Sequence, residues 1–242
     1  MIDADRYDSV LVEDSLAETL WRLEEVRMGF AVVPRIEVNE ALDWVRERQG
    51  MEGSYEVKGH KFFAPAEKDK EEIELITGEK FESTGGTDHI LGQEALRALM
   101  LWGRGEEVET KRALKALYAL LDLEQDYGTP RESGYFCCAK CSVAMLKTVS
   151  VVKTKSWEET LEKGVDKINK NRDGEGRWGK YPFYYTLLAL SEIESDSAVD
   201  ELRYAAENGE TLLNRYEGKD DRKSIFRKIG LETALSVIEE MH

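Results

Sequence analysis

Apolar residues recur along the chain at helical spacing, in runs of two alternating kinds. One kind is amphipathic and charged, as in the segment 157–170, where the apolar positions lie three and four residues apart. The other kind is apolar nearly all round, as in the segment 181–190. A helix that is apolar on every side has to be buried, whereas an amphipathic helix can lie outside it. The pattern therefore predicts an all-α fold in which inner and outer helices alternate.

One segment, at about 56–83, breaks this rhythm and is predicted to form a small flap. It ends in an alternating stretch around Gly78 and Glu79, which predicts a hairpin with Gly78 at the first central position of a type II′ turn. The remaining pattern predicts helices at 7–28, around Val38 to Val45, and at 88–102, 107–123, 135–152, 157–170, 182–194, 197–215 and 223–241.

A short motif returns between the outer and the inner runs. It consists of a Gln or a substitute, three residues, a Gly, one residue and usually an aromatic residue. Copies begin at Gln49 and Arg172, a stretched copy runs from Gln125 to Tyr135, and a fainter copy begins at Asn214 and has Asp220 in place of the aromatic residue. The last three copies recur at an interval of roughly 40 to 50 residues, the length of a two-helix repeat. The longer first interval returns to one repeat when the flap is subtracted. We therefore expect a single domain over residues 1–242, built from helix hairpins with the flap inside one of them.

Composition and charge exclude several classes of function. The formal net charge of -15 repels nucleic acid, and no polybasic segment interrupts it. No apolar run approaches the roughly 20 residues needed to span a bilayer, and the start of the chain does not resemble a secretory leader. We expect a soluble, cytoplasmic protein without a transmembrane segment or a nucleic-acid partner.

The segment from Asp173 to Leu190 resembles a repeat of the protein prenyltransferase β subunits and the squalene/terpene cyclases. It reads Asp-Gly-Glu-Gly-Arg-Trp-Gly-Lys-Tyr-Pro-Phe-Tyr-Tyr-Thr-Leu-Leu-Ala-Leu. The resemblance implies an α/α toroid whose inner helices line an apolar cavity, with the active site at one mouth. Four repeats are fewer than the family carries, so it implies an open or shortened ring. The function it implies is the binding of an isoprenoid or another apolar ligand in the cavity.

This chain departs from the family in two respects, so the resemblance implies the family's fold but not its reactions. The cyclases protonate an alkene with an Asp-rich motif that this chain lacks. At the place of the zinc-binding His of the prenyltransferases stands Tyr185, a much poorer zinc ligand. The resemblance therefore implies no defined reaction, and whether the chain is an enzyme is left open. The alternative is a non-catalytic toroid, or one that binds a carbohydrate or a partner; an open ring would also suit a homo-oligomer.

Three cysteines near the start of one inner helix form the strongest chemical candidate. Cys137, Cys138 and Cys141 share one helix face, and with His89 they are a candidate zinc site. The alternative is that they are small buried side chains of a crowded helix. Their clustering and odd number argue against a disulfide framework and predict reduced thiols.

The candidate ligand-binding residues lie near the starts of inner helices. Aromatic side chains there would line a pocket for a flat or isoprenoid ligand, and two cations would hold a diphosphate head group. The alternatives are core packing for the aromatic residues and a solvated rim for the cations. The candidates are Asp88, His89, Tyr135, Phe136, Arg177, Lys180, Phe183, Tyr184 and Tyr185.

Overall fold

The computed structural model describes residues 9–71, 73–81, 84–206 and 209–239, and it is mostly helical, with 59% helix and 5% strand. The all-α class is therefore confirmed, while the toroid arrangement stays a prediction. The α-helices of the described ranges are α1 Leu16–Arg27, α2 Arg35–Glu47, α3 Thr84–Leu101, α4 Val108–Leu121, α5 Pro130–Ser133, α6 Ala139–Val152, α7 Trp157–Asn169, α8 Phe183–Leu190, α9 Asp196–Ala206, α10 Gly209–Leu213 and α11 Arg222–Glu239. None of them combines the length and the apolar character that crossing a membrane demands.

The long helices lie where the apolar periodicity predicts them, with differences at several bounds. The predicted helix 7–28 begins only at Leu16, and the predicted helix 182–194 ends at Leu190. The predicted helix 135–152 begins only at Ala139, because Cys137 has a positive φ of 37° that no helix allows. Of the predicted helix 197–215, the described residues 197–206 lie in α9 and 209–213 lie in α10, whereas Asn214–Tyr216 form a 3₁₀ turn. The predicted bounds at residues 7 and 241 lie outside the described residues.

Burial separates the helices into the two predicted kinds. Every residue of α8 except Tyr184 is buried, whereas α7 buries one face, which includes Leu161, Gly164, Val165 and Ile168. The three- and four-residue steps between these positions are those of a helix with one side against the core. The prediction of alternating apolar and amphipathic helices is therefore confirmed for α7 and α8.

The described residues cluster in two compact units. The first comprises the chain up to Ile73 together with Phe81–Leu121, and the second comprises Glu74–Lys80 together with the chain from Asp122 onward. A short segment of the predicted flap thus belongs to the second unit. The single domain expected over residues 1–242 stays a prediction.

In the first unit the flap carries a small hairpin of β1 (Glu56–Val57) and β2 (His60–Lys61). Lys58 and Gly59 form its two-residue turn, and both have positive φ, as a type I′ turn requires. The hairpin packs against α4. The part of the flap that belongs to the first unit is therefore anchored on a helix of that unit.

A buried carboxylate ties the flap to the start of α1. Asp69 is 1% exposed and accepts hydrogen bonds from the hydroxyl of Ser15 at 2.8 Å and from the backbone N–H groups of Leu16, Ala17 and Ala66 at 2.7, 3.2 and 2.7 Å. The first N–H groups of a helix have no partner within it, so a carboxylate there satisfies them and interacts favourably with the helix dipole.

In the second unit the segment 74–80 forms a turn that differs from the predicted one. The N–H of Gly78 donates to the carbonyl of Leu75 at 2.7 Å, so Ile76 and Thr77 are the central residues. Gly78 follows them with a φ of 80°, and the prediction that it opens a type II′ turn is wrong. Glu79 lies on the returning arm directly after Gly78, and its carbonyl accepts from the N–H of Leu75 at 2.8 Å.

Glycines allow α5 and α7 to approach each other closely. A Cβ atom on Gly134 would lie 2.1 Å from the backbone nitrogen of Gly164, and one on Gly164 would lie 2.4 Å from a methyl carbon of Leu146 in α6. Gly134 also ends α5 with a φ of 64°. Only glycine meets both requirements at this position.

Candidate functional site

The third copy of the sequence motif forms a tight loop between α7 and α8. Arg172 and Trp178 pair as an isolated antiparallel bridge, and Asp173 organises the residues between them. Its carboxylate accepts from the N–H groups of Glu175 and Arg177, at 2.8 and 3.1 Å. These hydrogen bonds fix the direction in which the Arg177 side chain leaves the loop.

A buried glutamate on α9 holds this loop against the core. Glu201 is 1% exposed and accepts from the indole N–H of Trp178 at 2.7 Å, from Arg172 at 2.8 and 3.1 Å, and from the amide of Asn169 at 2.6 Å. Arg172, which stands at the Gln position of the motif, thus contributes a charged partner. The motif serves to position the loop, and through it the residues that follow.

A pocket of about 520 Å³ lies beside this loop in the second unit. It is formed by the segment 74–80, the motif loop, the start of α8, the 3₁₀ turn and α11, and we call it the arginine pocket. Its lining residues are Glu79, Asp173, Arg177, Trp178, Gly179, Tyr181, Phe183, Tyr184, Arg215, Tyr216 and Arg227. A concave site of this size is typical for a small ligand.

Three guanidinium groups reach the arginine pocket, and none forms an ion pair within the described part of the chain. Arg177 lies over the ring of Phe183, at 5.1 Å from its centroid. Arg227 lies over Tyr184 at 5.0 Å and donates from Nε to the carbonyl of Thr77 at 2.7 Å. Arg215 is exposed on the 3₁₀ turn. Glu79 and Asp173 also line the pocket, so its charged groups are three arginines and two carboxyl groups, in a chain whose total charge is negative.

The aromatic residues form a continuous wall at the start of α8. The rings of Phe183 and Tyr184 meet edge to face at 5.0 Å, and those of Tyr184 and Tyr216 at 5.8 Å. The hydroxyl of Tyr216 donates to the hydroxyl of Tyr184 at 2.7 Å. Burial raises the pKa of Tyr184, so its phenol stays protonated. Its own proton is not donated to any acceptor within the residues described, and it can bind a ligand oxygen.

Glu79 caps the first turn of α8 from inside the arginine pocket. Its Oε1 atom accepts from the N–H groups of Tyr184 and Tyr185 at 2.9 and 3.4 Å, and Oε2 accepts from the hydroxyl of Thr77. Burial raises the pKa of Glu79, while these hydrogen bonds and the nearby Arg227 act in the opposite direction. A carboxyl group with a raised pKa in a cleft is a typical functional group.

A second concavity, of about 740 Å³, shares Asp173, Arg177 and Arg215 with the arginine pocket. Thr211 and Leu212 of α10 complete its wall together with Gly174 and Glu175. The arginine side chains therefore separate two neighbouring spaces, and a ligand held by them can extend into either one.

The sequence-based candidates of the second unit fall into two groups. Arg177, Phe183 and Tyr184 line the arginine pocket, whereas Lys180 is exposed and does not. The other candidates of this unit lie away from it. Tyr135 contacts Tyr127 with a centroid distance of 5.2 Å, and Phe136 and Tyr185 are buried in the core.

The surroundings of Tyr185 do not fit the zinc site of the prenyltransferases. The Tyr185 side chain is fully buried, and the ammonium group of Lys147 lies 4.5 Å from the centroid of its ring. A phenol next to a lysine ammonium is a poor environment for a dication, which prefers imidazole, thiolate or carboxylate ligands.

The two candidates of the first unit lie at the beginning of α3. The rings of His89 and Tyr55 are 4.0 Å apart, and Asp88 lines a separate concavity of about 680 Å³ whose wall is rich in carboxylates. Burial raises the pKa of Asp88. The zinc site that combines His89 with the cysteines draws on both units and stays a prediction.

The three cysteines meet at the start of α6 as thiols. Cys137 and Cys138 are exposed and Cys141 is buried. The sulfur of Cys138 accepts from the N–H of Cys141 at 3.5 Å and caps the helix. Hydrogen bonds from the thiols of Cys137 and Cys141 hold the pKa of Cys138 well below its ordinary value. The hydrogen bond to Cys138 raises the pKa of Cys137, and hydrogen bonds to Cys137 and Cys138 raise the pKa of Cys141.

Sequence analysis missed several residues of the arginine pocket. Arg215 and Tyr216 directly follow Asn214, so the fourth copy of the motif marks their segment. Trp178 is the aromatic residue of the third copy. Glu79 and Arg227 carry no local signal, since they come together only through the docking of the segment 74–80 and α11 within the second unit.

Comparison with known proteins adds no family assignment: no protein-family model matches the chain, and a search of curated proteins finds no match either.

Proposed function

We propose that the second unit binds a ligand with a phosphate or diphosphate head group and an apolar body in the arginine pocket. The observation that carries this proposal is the meeting of Arg177, Arg215 and Arg227 without an ion-pair partner in the described residues. A guanidinium group presents a planar fork of donors that matches phosphate oxygens. The Tyr184 hydroxyl adds a neutral donor next to them.

The aromatic wall supports an apolar body for this ligand. Phe183 and Tyr216 are each 7% exposed and present ring surface to the pocket together with Tyr184. Burial of an apolar chain contributes about 0.8 kcal/mol for each CH₂ group. A prenyl diphosphate combines such a chain with a diphosphate, and it is the ligand class that the sequence resemblance implies.

The negative total charge does not oppose such binding. Exposed charges farther away than roughly 8 Å are largely screened at physiological ionic strength. The three guanidinium groups act at contact distance, where charge-assisted hydrogen bonds dominate. We therefore expect affinity to fall with rising salt concentration, but not to vanish.

The first experiment compares three ligands by isothermal titration calorimetry. Farnesyl diphosphate carries both the head group and the chain, inorganic diphosphate carries only the head group, and farnesol carries only the chain. If both parts are recognised, farnesyl diphosphate binds most tightly, with a dissociation constant near or below the micromolar range, about -8 kcal/mol. Each partial ligand should bind at least tenfold more weakly.

The second experiment uses matched variants of the same loop. Arg177→Ala and Lys180→Ala remove one positive charge each, but only Arg177 lines the pocket. Loss of one charge-assisted hydrogen bond is expected to weaken binding of farnesyl diphosphate about tenfold in Arg177→Ala, and Lys180→Ala should stay within about twofold of the unmodified protein. Arg215→Ala should behave like Arg177→Ala.

Two results would refute the proposal. One is the absence of binding heat for every phosphate-bearing probe at ligand concentrations that reveal micromolar affinity. The other is an equal loss of affinity in Arg177→Ala and Lys180→Ala, because binding would then follow the overall charge of the loop rather than the pocket.

A further inference from the structure

The thiols at the start of α6 do not line the arginine pocket, and they form a chemical site of their own. The sulfur atoms of Cys137 and Cys141 lie within 4.8 Å of each other. Side-chain hydrogen bonds also connect Cys138 with each of them. Three thiols in mutual contact, two of them exposed, are therefore poised for chemistry between sulfur atoms.

We propose that Cys138 and Cys141 form a reversible dithiol–disulfide couple that reduces disulfides of low molecular weight. The exposed Cys138 supplies the attacking sulfur, and the buried Cys141 supplies the resolving one. This activity is separate from ligand binding in the arginine pocket and does not depend on it.

Geometry favours this pair among the three that the cluster offers. Cys137 lies before α6 with a φ of 37°, whereas Cys138 is the N-cap of α6 and its sulfur lies at the N–H of Cys141. Neighbouring residues such as Cys137 and Cys138 have Cα atoms about 3.8 Å apart, below the range of about 4.4 to 6.8 Å that a disulfide requires. Residues three positions apart on a helical turn fall within that range. The Cys138 sulfur already lies over the first turn of α6, at 3.5 Å from the nitrogen of Cys141. Closing this bond leaves α6 in place.

The reaction balances in two exchange steps. The Cys138 thiolate attacks one sulfur of the substrate disulfide, forms a mixed disulfide and releases the first substrate thiolate, which takes up a proton. The sulfur of Cys141 then attacks the Cys138 sulfur of the mixed disulfide, the bond from Cys138 to the substrate sulfur breaks, and the Cys141 proton passes to the departing second substrate sulfur. The substrate gains two electrons and becomes two thiols, while the two cysteines lose two electrons and become one disulfide. A dithiol reductant reverses the change in the protein.

The position of Lys140 makes the product directly measurable. Trypsin cleaves after Arg131, Lys140 and Lys147, so Cys137 and Cys138 lie on the peptide 132–140 and Cys141 lies on the peptide 141–147. A Cys138–Cys141 disulfide links these two peptides, whereas a bond between neighbouring cysteines leaves them separate.

The experiment exposes reduced protein to glutathione disulfide, with and without EDTA, blocks the remaining thiols and maps the peptides by mass spectrometry. We expect the linked peptides in the unmodified protein and in Cys137→Ser. In Cys138→Ser the linked species should be lost, and in Cys141→Ser the peptide 132–140 should retain one glutathione. Serine at position 138 can still cap α6, so the circular dichroism spectrum of the Cys138→Ser variant should match that of the unmodified protein.

A turnover assay measures the activity itself. With dithiothreitol as the reductant, the rate of glutathione disulfide reduction above the uncatalysed rate should fall at least tenfold in Cys138→Ser and less than threefold in Cys137→Ser. The proposal is overturned if glutathione disulfide produces no linked peptides. It is also overturned if the two peptides are still linked in Cys138→Ser, because the thiols then pair differently. It is overturned as well if oxidation requires EDTA, because the thiols then bind a metal.

Discussion

Replacing Glu201 by Gln should destabilise the second unit strongly, although the side chain keeps its shape. Oε1 of Glu201 accepts from Asn169 at 2.6 Å and from Arg172 at 2.8 Å, and Oε2 accepts from Trp178 at 2.7 Å and from Arg172 at 3.1 Å. The glutamine amide has one acceptor oxygen, and its NH₂ group would face two donors in either orientation. Two hydrogen bonds and the negative charge are therefore lost together.

The size of the effect follows from the burial of the two partners. A hydrogen bond to a charged group contributes about 1.5 to 3 kcal/mol, and removing one partner of a buried pair costs about 3 to 5 kcal/mol. The side chain of Glu201 is 1% exposed, but that of Arg172 is 34% exposed and can recover water contacts. We therefore take the low end, about 3 kcal/mol, which lowers the melting temperature by about 6 to 12 °C.

A neighbouring carboxylate on α9 provides the matched control. Asp200 is paired with Arg203 on the helix surface, with exposed fractions of 64% and 40%. Such an exposed pair contributes at most about 1 kcal/mol, so Asp200→Asn should shift the urea midpoint only slightly. If Glu201→Gln shifts the midpoint no more than Asp200→Asn, the buried carboxylate does not hold the motif loop and the reasoning is wrong.

Three further predictions test the packing and the electrostatics of both units. In urea titrations, Gly134→Ala should lower the free energy of unfolding by more than about 3 kcal/mol, because its Cβ would overlap Gly164. The control Gly128→Ala has a φ of 89° but no such overlap, and it should lower the free energy of unfolding by about 1 kcal/mol. Asp69→Asn should cost about 2 kcal/mol or more in thermal unfolding, since one of its oxygen acceptors is lost, and no change would contradict its capping role. Burial raises the pKa of Glu79, so in a certain pH window the folded chain keeps this proton while the unfolded chain has lost it, and stability falls as the pH rises through that window. Glu79→Gln should flatten this decline in urea titrations at several pH values. An unchanged dependence of stability on pH would refute the shift.

Periodicity predicted the long helices because each of them buries a face that repeats at the helical interval. α7 shows this directly, with Leu161, Val165 and Ile168 buried on one side. The β1–β2 hairpin was missed because strands of two residues are too short to show alternation, and because only Gly59 of its two turn residues is typical of a type I′ turn. Short elements are fixed by tertiary contacts, which a local pattern does not contain.

The candidate site was predictable only as far as the motif reaches. The motif loop and the start of α8 supply Arg177, Phe183 and Tyr184, and all three line the arginine pocket. Lys180 is three residues from Arg177 but does not line it, because position in a loop does not determine the direction of a side chain. Arg227 reaches the pocket from α11, far along the chain, and no spacing in the sequence connects it with the motif.

Two acidic residues share the arginine pocket with the three arginines, and each of them is engaged by other donors. The carboxylate of Asp173 accepts from the N–H groups of its own loop, and that of Glu79 accepts from α8. The placement of Glu79 shows how this works. Its Oε1 atom is directed to the N–H groups at the start of α8, and it forms no ion pair with Arg227 in the residues described. The helix dipole and Thr77 thus interact with this carboxyl group, while Arg227 binds a backbone carbonyl through one of its donors. The remaining guanidinium donors of Arg227 stay available to a ligand. A substitution that frees Glu79 from α8 would therefore place a negative charge closer to the arginines and weaken anion binding, even though no arginine has changed.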